Sequence, residues 1–120
     1  MAKQKQRINA STEIEMADGT TVKLTVTWGL LARLRAEDKK LYKRFSGLVM
    51  GGMKDDIAAA LDIIYCGYVC AYLDERDSLD GALTQDEFTA CAPPDIFDCL
   101  KTANELINPK AAQASATHSA

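Results

Sequence analysis

Histidine is nearly absent from this chain of 120 residues: the single one, His118, lies at the C-terminal end of the sequence. The predicted folded part also lacks a glycine-rich phosphate loop after a strand, and no candidate nucleophile lies beside a general base. Acid–base and nucleophilic catalysis depend on such groups. We therefore expect a protein that is not an enzyme, with no catalytic residues and no cofactor.

An apolar run is missing from the N-terminus, so we expect no secretory signal and a cytoplasmic protein. Disulfides are rare in the cytosol, and the sequence has four cysteines. Cys66 and Cys70 lie one helical turn apart, which allows metal binding, but no histidine or further cysteine follows at the spacing of a zinc site. Burial of these thiols as small apolar side chains is the favoured interpretation.

The charges are distributed unevenly, although the net charge is only −3. Residues 1–54 carry eleven Lys/Arg against five Asp/Glu, whereas residues 55–98 carry one against eleven. Such asymmetry can steer a partner or allow self-association through complementary patches. Two solvated faces that neutralise each other within one fold are the simpler explanation.

The most apolar stretch, residues 57–73, contains one charged side chain, Asp62. Its apolar residues recur at spacings of three and four, which indicates a helix. Because its other faces are apolar as well, this helix should be surrounded by other elements. A transmembrane span is the alternative, but a span needs roughly 20 apolar residues, and acidic residues flank this shorter run on both sides. We predict a buried central helix.

An Asp-Gly pair between two segments of alternating apolar and polar residues predicts a β-hairpin. A two-residue loop would place Ile14 opposite Lys23 and put the apolar side chains on different faces. A three-residue loop, residues 17–19 with the glycine in the left-handed conformation, places Ile14 opposite Val22 and Glu13 opposite Lys23. We favour the three-residue loop, because one face is then apolar and the other ion-paired.

A helix is predicted to follow the second strand directly, with Thr27 as its N-cap and Trp28 as its first residue. Its apolar stripe runs to Leu48. The opposite face of this 28–48 helix carries a cluster of cations: Arg33, Arg35, Lys39, Lys40, Lys43 and Arg44. The cluster makes a small nucleic-acid-binding regulator the alternative function. A surface for an acidic protein partner, or a plain solvated face, is favoured over it.

Residues 76–88 resemble a calcium-binding EF-hand loop in the spacing of Gly81 and of the side chains that carry oxygen. The first ligand position, however, falls on Arg76, whose guanidinium would repel the ion. The metal-free interpretation is a turn at the glycine and a capping box, Thr84 with Glu87, at the start of a short helix. We favour it over a calcium-responsive module and expect no metal site.

The chain is expected to contain a disordered basic arm (1–10), a single domain (11–109) and a disordered tail (110–120). Pro93-Pro94 separates the short helix from a last amphipathic helix. The predicted fold class is α+β, mainly α. An N-terminal β-hairpin packs on a small bundle of about four helices around the central apolar helix.

The order of these features resembles the tail assembly chaperones of long-tailed bacteriophages, of the kind found in phages of Gram-positive hosts. Four segments carry the likeness: T-W-G-L-L-A-R-L-R-A-E-D after the hairpin, D-I-I-Y-C-G-Y-V-C-A-Y-L, L-T-Q-D-E-F and N-E-L-I-N-P-K. The resemblance implies a protein of the host cytoplasm that binds the tape-measure protein and keeps its long hydrophobic helices soluble. It also implies help in recruiting tail-tube protein, in many phages with a longer frameshifted product of the gene, and absence from the mature virion. It transfers no catalytic or metal-binding residue.

An apolar groove that receives a partner helix would serve this role. The candidate partner-binding residues are Trp28, Leu31, Arg35, Lys39, Phe45, Tyr65 and Tyr72. Charge asymmetry would then steer the partner. Under this interpretation the chain binds neither nucleic acid nor a membrane.

Overall fold

The computed structural model describes residues 9–51 and 57–107. Most of the predicted arm and all of the predicted tail lie outside the described residues. The elements follow in this order: β1 (Asn9–Glu15), β2 (Thr21–Thr27), α1 (Trp28–Glu37), α2 (Lys39–Gly51), α3 (Ile57–Arg76), α4 (Gln85–Ala90) and α5 (Ile96–Ile107). The predicted fold class, α+β and mainly α with an N-terminal hairpin, is confirmed. Five helices follow the hairpin in the described part of the chain, where about four were expected.

The two strands pair antiparallel in the predicted register, with Ile14 opposite Val22 and Glu13 opposite Lys23. The predicted ion pair across the strands is wrong. The Lys23 ammonium lies 3.3 Å from the carboxylate of Glu75 on α3. Because α3 packs along β2, its acidic C-terminal end comes within reach of this lysine.

The hairpin loop has the predicted three residues. The N–H of Met16 donates to the carbonyl of Thr20 at 2.7 Å, and the N–H of Gly19 donates to the carbonyl of Met16 at 3.0 Å. Gly19 has a φ of 90°, a conformation that glycine adopts without steric cost. The carboxylate of Asp18 accepts hydrogen bonds from the N–H and the hydroxyl of Thr20, and these bonds lower the pKa of Asp18.

The prediction of one continuous helix after the hairpin is wrong. Helix α1 ends at Glu37 and α2 begins at Lys39, because Asp38 leaves the helical conformation (φ −148°, ψ 82°). The N–H of Asp38 donates to the carbonyl of Leu34 at 2.7 Å, and its carboxylate accepts from the N–H of Leu41 at 3.1 Å. One residue therefore closes α1 and caps α2.

Helix α3 is central, as predicted, and extends one turn beyond the predicted end at Leu73. It stops where Asp77 takes a φ of 60° and donates its N–H to the carbonyl of Leu73 at 2.8 Å. By length and composition, α3 is the one helix in the described part that is long and apolar enough to cross a membrane, and 61% of its apolar window is buried inside the fold. Strand β2 and the other four described helices pack around it.

Helix α5 closes the core by packing on α3 and on both strands. At Gly67 of α3, an added Cβ would lie 3.1 Å from Leu106 Cδ1 and 3.2 Å from Leu24 Cβ. The missing side chain therefore lets α3 fit between β2 and the end of α5. This packing brings the end of α5 beside the start of α1.

Candidate functional site

An apolar groove of about 170 Å³ opens between the α1–α2 pair and the end of α5. The residues that line it come from four elements: Val26, Trp28, Leu31, Tyr42, Phe45, Ser46, Val49, Met50, Leu106 and Ile107. All of these lining residues are aliphatic or aromatic except Ser46. The groove can therefore hold an apolar side chain or the apolar face of a helix.

The geometry of the groove follows from the break at Asp38. Trp28 begins α1 and Met50 lies near the end of α2, yet both line the groove. The break at Asp38 therefore turns α2 back toward the start of α1. The floor of the groove is part of the hydrophobic core and consists of buried side chains: Val26, Leu31, Phe45 and Leu106.

Large apolar side chains on the walls of the groove are exposed to water. Trp28 is 62% exposed, Met50 85% and Val49 38%. Single exposed apolar residues are common on protein surfaces, but several around one concave site are typical of a binding surface. The walls, rather than the floor, are the part that is free to contact a partner.

The charged residues that flank the lining positions on α1 and α2 are cations. Arg35 follows Leu31 by one helical turn, and its guanidinium carbon lies 5.9 Å from the centroid of the Tyr42 ring. On α2, Lys39 and Lys43 each precede a lining residue by three positions, so they lie on the same side of the helix. All three are exposed. We call Arg35, Lys39 and Lys43 the cationic rim.

Two of the predicted partner-binding residues, Tyr65 and Tyr72, lie away from the groove. The Tyr65 hydroxyl donates to the carbonyl of Leu83 at 2.9 Å, and the Tyr72 hydroxyl donates to the carbonyl of Asp80 at 2.6 Å. Between them, the hydroxyl of Tyr68 accepts from the N–H of Leu83 at 2.9 Å. These tyrosines hold the loop before α4 against α3. The other five candidates line the groove or belong to the cationic rim.

The segment that resembles a calcium loop is held by hydrogen bonds of its own. The predicted capping box is confirmed. The Glu87 carboxylate accepts from the N–H of Thr84 at 2.9 Å, and the N–H of Glu87 donates to the Thr84 hydroxyl at 3.2 Å. The hydroxyl of Ser78 accepts from the N–H of Asp80. Within residues 9–51 and 57–107, no group of three or more His, Cys, Asp or Glu side chains is placed to hold a metal ion.

The six cations predicted to share one helical face fall into two groups. Arg33 donates to the carbonyl of Leu73 at 3.3 Å and lies 2.6 Å from the carboxylate of Asp77. Arg44 donates to the side chain of Gln85. These two arginines attach α1 and α2 to the rest of the fold. Four cations are exposed and form no ion pair within the described residues: Arg35, Lys39, Lys40 and Lys43.

The four cysteines are free thiols, and none of them lines the groove. Cys66 and Cys70 are buried on α3. Hydrogen bonding with Cys70, together with burial, raises the pKa of the Cys66 thiol well above its ordinary value. A thiol in this environment stays protonated and unreactive near neutral pH.

Sequence reasoning missed part of the groove wall, namely Tyr42, Val49, Met50 and Ile107. A local signal existed for α2, because Tyr42, Ser46 and Val49 recur at spacings of four and three and form a second stripe beside the core stripe. No local signal existed for Ile107, which reaches the groove only through the packing of α5.

Comparisons of the chain with protein families, curated protein sequences and solved structures find no match. The fold and the site together define a small α+β domain with an exposed apolar groove and a cationic rim.

Proposed function

We propose that this chain is a non-enzymatic tail assembly chaperone of a long-tailed bacteriophage. It binds the tape-measure protein in the host cytoplasm and helps recruit tail-tube subunits during tail assembly. The observation that carries this proposal is the groove: an apolar floor continuous with the core, beneath exposed walls formed by Trp28, Val49 and Met50. The order of the sequence segments, which resembles that of these chaperones, supports the same function.

The groove suits a short stretch of amphipathic helix. The side of the groove that α1 forms, from Trp28 to Arg35, is roughly 10 Å long at 1.5 Å per residue. A partner helix would therefore contact it over about two turns, with apolar residues at helical spacing. The binding must also be reversible, because the client must later pass to the growing tail.

The test is co-expression of the tagged chain with the tape-measure protein encoded nearest to it. We expect the tape-measure protein to become soluble and to co-purify through ~0.5 M salt, where exposed charges are screened. A Trp28→Ser/Met50→Ser double variant should lose capture by at least about tenfold, or ~1.4 kcal/mol. Both side chains are largely exposed, so the core is left unchanged.

The matched control is Ile57→Ser, which removes an exposed apolar side chain outside the groove lining. It should leave capture unchanged. Equal loss in both variants would show that the groove is not the binding surface. A tape-measure protein that stays insoluble and uncaptured with the native chain would refute the proposed function. Nucleic-acid binding would then be tested by titrating duplex DNA at ~50 and ~200 mM salt, where a cationic face predicts a steep loss of affinity.

A further inference from the structure

A second exposed apolar site lies at the far end of α5. Phe97 is 81% exposed and Ile96 is 49% exposed. Asp95 and Asp98 flank them, and the Asp95 carboxylate caps the helix by accepting from the N–H of Asp98 at 3.1 Å. We call Ile96 and Phe97 with these two carboxylates the acidic knob. The acidic knob places an exposed aromatic ring beside negative charge. The groove, in contrast, places an apolar concave surface beside positive charge.

The knob and the groove cannot meet within one molecule. Ile107, at the other end of α5, lines the groove. Phe97 precedes it by ten residues, which is roughly 15 Å along the helix. The groove of one molecule can therefore receive this knob only from another.

The two surfaces are complementary in charge. The cationic rim carries three positive charges, and none of its members forms an ion pair in the part of the chain that the structure describes. Glu37 lies on the opposite face of α1 at helical spacing. Asp38 caps α2 and keeps its negative charge, so it offsets part of the positive charge of the rim, and the rim stays positive overall. On α5, Lys101 follows the knob by one turn and offsets part of its negative charge.

We propose that the groove binds the acidic knob of a second copy of this chain, with Phe97 inserted over the floor and the Asp95 and Asp98 carboxylates facing the cationic rim. The contact is heterologous, since each copy contributes a different surface. An open chain of copies then keeps one free groove at one end and one free knob at the other, and association continues head to tail until a ring closes or a filament forms. A helix of a client protein would compete with the knob for the same groove.

The first measurement is sedimentation velocity of the full chain over about a hundredfold range of concentration, since an association of this kind is governed by mass action. We expect a series of species larger than the monomer that grows with concentration and shrinks as salt is raised. Phe97→Ser, which removes the knob, and Met50→Ser, which weakens the groove wall, should each shift the distribution toward monomer by at least about tenfold in dissociation constant.

Mixing the two variants gives the decisive result. The Phe97→Ser chain keeps its groove and the Met50→Ser chain keeps its knob, so the mixture should form 1:1 dimers that do not extend further. In a second pair, Lys43→Glu and Asp98→Lys should each weaken association, and the two variants mixed should regain it. Lys40→Glu, the same charge change on α2 away from the groove lining, is the matched control and should behave as the native chain.

Monomer at every concentration would overturn the proposal, as would association that survives both Phe97→Ser and Met50→Ser. Recovery of large species in the Phe97→Ser and Met50→Ser mixture would also contradict it, because a head-to-tail contact permits only the dimer. The chaperone proposal is tested separately. A native chain that is monomeric yet captures the tape-measure protein would keep that function and refute self-docking.

Discussion

Gly67 shows how a single residue sets the packing of this fold. A Cβ at this position would come within 3.1 Å of Leu106 Cδ1 and 3.2 Å of Leu24 Cβ. The Leu24 atom is fixed to the strand backbone and cannot rotate away. We predict that Gly67→Ala lowers the free energy of unfolding by about 1–3 kcal/mol through overpacking, measured by urea denaturation.

Gly47 gives the opposite result for the same substitution. It lies on the exposed side of α2, and an added Cβ would have no atom within 4 Å. Gly47→Ala should raise the free energy of unfolding by about 0.5–1 kcal/mol, because alanine loses less backbone entropy in a helix. A stabilising effect of Gly67→Ala as well would contradict the packing described at Gly67.

The thiols should differ sharply in reactivity with iodoacetamide. Cys66, Cys70 and Cys99 are buried, whereas Cys91 is partly exposed. Burial, together with the neighbouring Asp98 and Asp95 carboxylates, raises the pKa of Cys99. At neutral pH we expect Cys91 to be alkylated first and the other three to react only when the domain unfolds. Mass spectrometry of timed samples in water and in urea measures the order, and early labelling of Cys66 would contradict it.

At the scale of elements, Asp38 carries the junction between α1 and α2. Asp38→Ala removes the carboxylate that accepts from the N–H of Leu41. We predict a loss of about 0.5–2 kcal/mol in the free energy of unfolding, as for other N-cap residues. Glu37→Ala, an exposed neighbour, is the control and should stay within about 0.5 kcal/mol of the native chain. Equal effects would mean that the cap contributes little.

The loop held by the α3 tyrosines should respond to alkaline pH through Tyr65. Burial, with a smaller effect from the Asp38 charge, raises the pKa of Tyr65 to about 12, against ~10 in the unfolded chain. The folded state therefore keeps this proton longer than the unfolded state. The resulting stabilisation is complete below about pH 10 and is lost as pH rises toward 12.

Urea denaturation of the native chain and of Tyr65→Phe between pH 8 and 12 tests this expectation. The variant lacks the titrating hydroxyl, so its free energy of unfolding should fall less steeply from about pH 10 to 12. At pH 8 it should already be less stable, because the Leu83 carbonyl loses its hydrogen-bond donor. Parallel curves for the two proteins would show that Tyr65 does not carry the effect.

The elements differ in how far they could be predicted from the sequence. The hairpin register was predictable because alternation fixes which residues face each other, and a shift by one residue would bury Lys23 in place of Val22. The break at Asp38 was not, because the apolar stripe of α1 continues in phase through Leu41 and Phe45 of α2. A capping aspartate inside a continuous stripe is compatible with one helix or with two.

For the whole molecule, the groove was only partly predictable. Trp28, Leu31 and Phe45 were candidates because they lie on apolar stripes, but periodicity does not separate floor from wall. That separation depends on the tertiary packing, which buries Leu31 and Phe45 in the core and leaves Trp28 exposed. Tyr65 and Tyr72 also lie on an apolar stripe, yet their hydroxyls bind the loop before α4. Contacts between segments distant in sequence decide which stripe residues line the groove and which hold the loop.

Closure of the fold by α5 also predicts how the molecule unfolds. Leu106 is buried, lies against the Gly67 site of α3 and forms part of the groove floor. Because α5 packs on both strands as well as on α3, the hairpin and the helices should unfold as one unit. Leu106→Ala should therefore cost about 2–5 kcal/mol. Asn104→Ala, an exposed change on the same helix, should cost less than about 0.5 kcal/mol.

The measurement compares two spectroscopic signals during urea unfolding at low protein concentration. Far-UV circular dichroism follows all five helices, and the near-UV signal follows the packed rings of Tyr65, Tyr68 and Phe88. If α5 joins the hairpin to α3, the two transitions coincide in the native chain and move together in Leu106→Ala. A near-UV transition that stays in place while the helical signal shifts would mean that α3 and α4 fold without the closing contact at Leu106.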